Sequence, residues 1–142
     1  MTVAPSPVRL LVIDDEPAIR RTLERGLSRH GYQIVAAPDG EAAYALLKSE
    51  RVDAVLLDYQ MPGMSGMAVY HAIAHRWPDL QGRILVMTGD PDNEDLRLWA
   101  DHQGCAVIPK PFEMESVIRW LEEVLRQRRR RSGGEAGGSG GH

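Results

Sequence analysis

The stretch VLLDYQMPGMSG, residues 55–66, sets an aspartate directly after an uninterrupted apolar run. A carboxylate ending a core strand is costly to desolvate unless it is paired or has chemistry to perform. Reading outward from it, short apolar runs alternate with longer stretches of helical period, which predicts an α/β fold: a parallel sheet with helices on both faces. VRLLVI (8–13) is the first strand, and Ile19, Leu23 and Leu27 recur every four residues after Pro17 to mark a first helix closed by Gly31. YQIVAA is a weaker second strand, followed by a PDG turn and a helix over about 40–50 carrying Ala43, Leu46 and Leu47. VDAVLL is the third strand. Met67, Tyr70, Ile73 and Ala74 then give a third helix that must stop before Pro78. RILVM, NEDLRLWADHQG, CAVI and EMESVIRWLEEVLRQ complete five strand-helix units.

Composition narrows the function classes. With 142 residues and 43% apolar content, the chain suits one domain with a real core. It has no apolar run long enough to span a bilayer, and its start reaches acidic residues too soon for a signal peptide. A cytoplasmic location and no membrane partner are therefore expected. The single Cys105 excludes an intramolecular disulfide and fits a reducing compartment. A net charge of -3 argues against general nucleic-acid affinity, although arginines crowd RQRRRR at 126–131; at the end of the last helix such cations favour the helix dipole and stay solvated. The expected organisation is an N-terminal extension (1–7), one domain (8–126), and a basic, then Gly/Ser-rich disordered tail (127–142).

Open α/β sheets bind ligands beyond the carboxyl ends of their strands. Strand one ends in Asp14 and Asp15, strand three in Asp58, strand four in Thr88, and strand five, just past Pro109, in Lys110. Three carboxylates at one sheet edge repel one another unless a cation neutralises them. Oxygen ligands without a suitable Cys or His point to Mg²⁺. A lysine and a threonine beside them suit a transferring phosphoryl group, with Asp58 as the candidate nucleophile.

VIDDE, LLDYQMPGMSG, VMTGD and IPKPF, in this order and spacing, resemble the signature segments of receiver domains of two-component response regulators, and the resemblance covers about residues 8–126. It implies the doubly wound, flavodoxin-like (βα)5 sheet of order 2-1-3-4-5. It implies that Asp58 accepts a phosphoryl group from a histidine kinase or phosphotransfer protein, that Asp14, Asp15, Asp58 and the Gln60 backbone carbonyl hold Mg²⁺, and that Thr88 and Lys110 contact the phosphoryl group. A cis bond between Lys110 and Pro111 is implied as well. Gln60 and Asp90, each two residues past a key position, are by resemblance the residues that tune water access and phosphoryl lifetime. The face of helix four, strand five and helix five is where such domains often form homodimers or bind targets, and Trp120 stands off the Val117, Leu121, Leu125 stripe of the last helix.

One departure stands out: the family's usual aromatic residue three before the lysine is Val107 here, so the segment between strand four and helix four must carry the signal. His71 and His75 stand at metal-binding spacing, but with no third ligand they read as a solvated helix face. No DNA-binding module follows, so the chain reads as a stand-alone receiver or one detached from a larger protein such as a hybrid sensor kinase. Two rival readings stay open: a receiver-like scaffold working without phosphorylation, and an aspartate-nucleophile phosphatase. The latter is disfavoured by the adjacent Asp14-Asp15 pair and by Gln60, which cannot serve as a general acid.

Overall fold

In the computed structural model, which describes residues 7–135, the five apolar runs become β1 (Arg9–Ile13), β2 (Gln33–Ala37), β3 (Ala54–Asp58), β4 (Ile84–Thr88) and β5 (Ala106–Pro109). All pair in parallel, in the order β2-β1-β3-β4-β5. Between them run α1 (Pro17–Ser28), α2 (Gly40–Ser49), α3 (Gly66–Arg76) and α4 (Glu94–Gln103). This is the doubly wound arrangement expected from the sequence. Register decides where the chemistry falls: Ile13 lies beside Leu57, Asp58 beside Met87, and Thr88 beside Pro109, so the chemistry-bearing residues leave the sheet at one edge.

The central strands β1, β3 and β4 are buried almost throughout because both faces of the sheet are covered. Successive side chains alternate between the faces. On one face Leu11, Ile13, Val55, Leu57 and Val86 join Ala43 and Leu47 of α2, Val69, Tyr70 and Ile73 of α3, and Leu96 of α4 in a single core. Right-handed crossovers put α1 on the opposite face, where Leu23 and Leu27 are fully buried. From Glu113 onward a second compact unit holds α5 (Met114–Glu135). Val117, Ile118, Leu121, Val124 and Leu125 are buried on this helix, and Trp120 is half-buried.

Helix ends follow local chemistry. Pro17 opens α1, the Asp39 side chain accepts the Ala42 N–H at 2.8 Å to start α2, and Asn93 accepts the Leu96 N–H at 2.9 Å to start α4. Gly104, at φ 66°, closes α4 in the left-handed conformation that glycine adopts without penalty. Three details differ from the sequence expectation. α1 ends at Ser28, three residues before Gly31. Gln60–Met61 and Met64–Ser65 form a small antiparallel hairpin, with Pro62 and a positive-φ Gly63 at its turn, too short to show any periodicity. Helical backbone continues to Glu135, past the helix segment expected to end at Gln127, through arginines that are good helix formers and on over Ser132, Gly133 and Gly134, which are not. Residues 136–142 and the side chains of the arginine run beyond Arg126 lie outside the described residues.

Candidate functional site

Each strand end contributes one part. β1 delivers Asp14, fully buried, with Asp15 half-buried beside it; β3 delivers Asp58, 3% exposed; β4 delivers Thr88, fully buried. Carboxylate oxygens of Asp14, Asp15 and Asp58 lie within 4.8 Å of one another. Lys110, one residue beyond β5, reaches across the edge, its Nζ 2.9 Å from Asp14 Oδ2 and 3.3 Å from Asp58 Oδ1. The Lys110-Pro111 peptide is cis, as the resemblance implied.

The carboxylates are held by more than the lysine. Asp14 Oδ1 accepts the Glu16 N–H at 2.9 Å, and the Asp14 carbonyl accepts Arg20 Nη1 at 2.6 Å. Asp58 Oδ1 accepts the Gln60 N–H at 3.2 Å. Thr88 Oγ1 accepts the Asp90 N–H at 2.9 Å, while its carbonyl accepts the Lys110 N–H at 2.7 Å. Among the described residues no buried side-chain nitrogen or oxygen lacks a partner, so the site is pre-organised.

Electrostatically the cluster is short of positive charge. Burial, reinforced by the Asp14 charge, pushes the Asp58 carboxyl up from 3.8 to about 6, against the opposing pull of Lys110 and the Gln60 N–H; the Asp15 side chain adds to the rise. For Lys110, burial works to lower the ammonium's pKa, but hydrogen bonds and charge attraction from Asp14 and Asp58 prevail and hold it above its ordinary value. One close ammonium faces three carboxylates. A hard divalent cation bound through oxygen suits this donor set, which contains no sulfur or imidazole.

The residues singled out from sequence fall into two groups. Asp14, Asp15, Asp58 and Lys110 converge directly, Thr88 adjoins them through the Lys110 main chain, and Gln60 touches Asp58 through its N–H. Asp90 is exposed and linked through its backbone to Thr88, Pro111 is exposed, and Val107 packs half-buried against the hydrophobic core. Two contributors escaped the sequence reading. Glu16 Oε1 lies 3.4 Å from Lys110 Nζ, and Arg20 holds the Asp14 main chain. The position of Glu16 immediately after the aspartate pair was the available signal; Arg20 offered none beyond its helical register.

The response regulator receiver domain family matches residues 10–122. Response regulator MprA of Mycolicibacterium vanbaalenii is 37% identical over 121 residues, covering 85% of this chain and 52% of that protein. The chain thus spans about half the length of the curated relatives it matches. Among solved structures, response regulator protein TrrA from Thermotoga maritima, in complex with Mg(2+)-BeF, is 33% identical with a TM-score of 0.71 over 82% of this chain and 98% of that one. Vibrio cholerae chemotaxis protein CheY4 is 26% identical with a TM-score of 0.75, covering 84% and 99%.

Proposed function

This chain belongs to the response regulator receiver domain family of two-component systems, and we propose that it works as a phosphorylation-controlled binding module whose acceptor is Asp58. The observation that carries this reading is the convergence of three carboxylates within 4.8 Å, two of them contacted by one lysine. The donor is a histidine kinase or phosphotransfer protein. An Asp58 oxygen forms the new bond to phosphorus as the bond to the donor's imidazole nitrogen breaks, and the electron pair leaves with the imidazole. Without metal, burial and the Asp14 charge raise the Asp58 carboxyl to about 6; a cation bound beside it would favour the ionised, nucleophilic form.

Asp14, Asp15, Asp58 and the Gln60 main-chain carbonyl would hold Mg²⁺, whose charge offsets that of the phosphoryl oxygens. Lys110 supplies a cation at Asp58, and the Thr88 hydroxyl, oriented by the Asp90 N–H, keeps its proton free to donate to a phosphoryl oxygen. The chemistry is confined to the protein's own side chain. Gln60 and Asp90 set how water reaches the acyl phosphate. The output lies on α4, through a homodimer or a downstream target; Leu98 on α4, 63% exposed, is the large apolar side chain most open to solvent among the described residues. A cytoplasmic location follows from such a donor; among the described residues no helix is long and apolar enough to cross a membrane.

Intact mass after incubation with Mg²⁺ and a small acyl phosphate tests the reading. One phosphoryl adduct, absent in Asp58→Asn, is expected; an adduct that survives in Asp58→Asn would overturn the assignment.

A further inference from the structure

Three rings meet between α3 and α4. Tyr70, buried, stands edge-on to Trp99 with centroids 5.0 Å apart and planes at 84°, and His71 stands edge-on to the same indole at 5.7 Å and 77°. Trp99 Nε1 donates to His71 Nε2 at 2.9 Å. An indole N–H can only donate, so His71 Nε2 is the acceptor. The imidazole is exposed on its helix face, as expected, and also bonds across to α4.

From its other end α4 is tied to the site by a run of hydrogen bonds. Thr88 Oγ1 accepts the Asp90 N–H at 2.9 Å, the Asp90 carbonyl accepts the Asn93 N–H at 3.2 Å, and Asn93 caps α4 through the Leu96 N–H at 2.9 Å. Leu96 is fully buried, so this helix start cannot shift without disturbing the core. Position 107, by contrast, holds only a half-buried valine, so no ring there connects Thr88 to the surface.

We propose that Trp99 and His71 are positioning residues for the phosphorylation site: their bond fixes α4 against α3, and through α4 the segment that orients the Thr88 hydroxyl. Drawing Thr88 toward a phosphoryl group on Asp58 then works against this bond. The inference rests on the receiver reading above. Coupling of this kind is reciprocal, so weakening the bond must ease occupation of the site as much as occupation weakens the bond.

The test uses the full chain with Mg²⁺ and beryllofluoride as a phosphoryl analogue. By NMR, the Trp99 indole N–H resonance, assigned by its loss in Trp99→Phe, should move when the analogue binds. His71→Leu, an exposed-site change that removes the acceptor, should bind the analogue about threefold to tenfold more tightly, the scale of one net hydrogen bond. His71→Gln, whose amide oxygen can accept the same proton, should restore the wild-type affinity. A purely structural pair would alter stability and leave affinity unchanged. A stationary Trp99 resonance in a protein whose site resonances shift, or equal affinity in His71→Leu, overturns the inference alone. Failure of the wild type to bind the analogue would overturn the receiver reading and the inference with it.

Discussion

Replacing Asp58 by Asn should stabilise the metal-free protein at neutral pH, although it removes the residue on which the function depends. The carboxyl is pushed from 3.8 to about 6 because the folded protein disfavours its charged form, by burial first and by Asp14 second. Each tenfold in proton affinity is worth about 1.4 kcal/mol, so this displacement corresponds to a penalty of about 3 kcal/mol once Asp58 is ionised. The sign follows from the raised value: the favourable contribution is complete below 3.8, falls as pH rises, and is lost by the time pH has passed about 6. Asn has nearly the same shape and no charge to desolvate. It forgoes the 3.3 Å contact with Lys110, whose pull is already included in that value of about 6. Urea unfolding in a chelator, at pH 7.5 and again at pH 4.5, measures the difference. Asp58→Asn should be more stable by about 1–3 kcal/mol at the higher pH, with the gap closing at the lower one. Mg²⁺ should narrow the gap at pH 7.5 by stabilising the wild type. A less stable Asp58→Asn at pH 7.5 would refute the reasoning, because attraction to Lys110 would then outweigh burial and repulsion.

Other substitutions probe the neighbours. Mg²⁺ should raise the wild-type melting temperature by binding only the folded state, and Asp15→Asn should blunt that rise in a thermal scan. Lys110→Met removes the ammonium that contacts Asp14 and Asp58; it should preserve the fold by circular dichroism, displace the Asp58 carboxyl further upward in an NMR titration, and uncouple phosphorylation from any surface change. At Gly66 an added Cβ would lie 2.6 Å from Tyr59 Cα and 2.7 Å from its carbonyl oxygen. Gly66→Ala must therefore displace the backbone beside Asp58, at a cost of about 1–3 kcal/mol in a urea melt, together with slower phosphorylation.

The sheet was legible because its central strands are buried on both faces and so read as unbroken apolar runs, Leu10–Ile13 and Val55–Leu57 most plainly. The site was legible because strand ends at one edge of a parallel sheet converge, which turns Asp14, Asp58, Thr88 and Lys110 into neighbours although they are scattered along the chain. What stayed hidden depends on tertiary partners or on very short elements. Glu16 reads as an ordinary acid near a helix start, and only the fold brings Lys110, 94 positions away, within 3.4 Å of it. His71 and His75 share a spacing that says nothing of Trp99, 28 positions from His71. The hairpin flanking Pro62 and Gly63 has two residues per strand, below the length at which alternation can appear.

The most direct measurement is the location of the phosphoryl group. Borohydride reduction converts an aspartyl phosphate to homoserine, which peptide sequencing by mass spectrometry assigns to a position. After transfer from a phosphohistidine donor in Mg²⁺, homoserine should appear at position 58 and at no other aspartate. Reduction at position 14 or 15, or a phosphoryl group stable on a serine or histidine, would contradict the assignment of Asp58 as the acceptor.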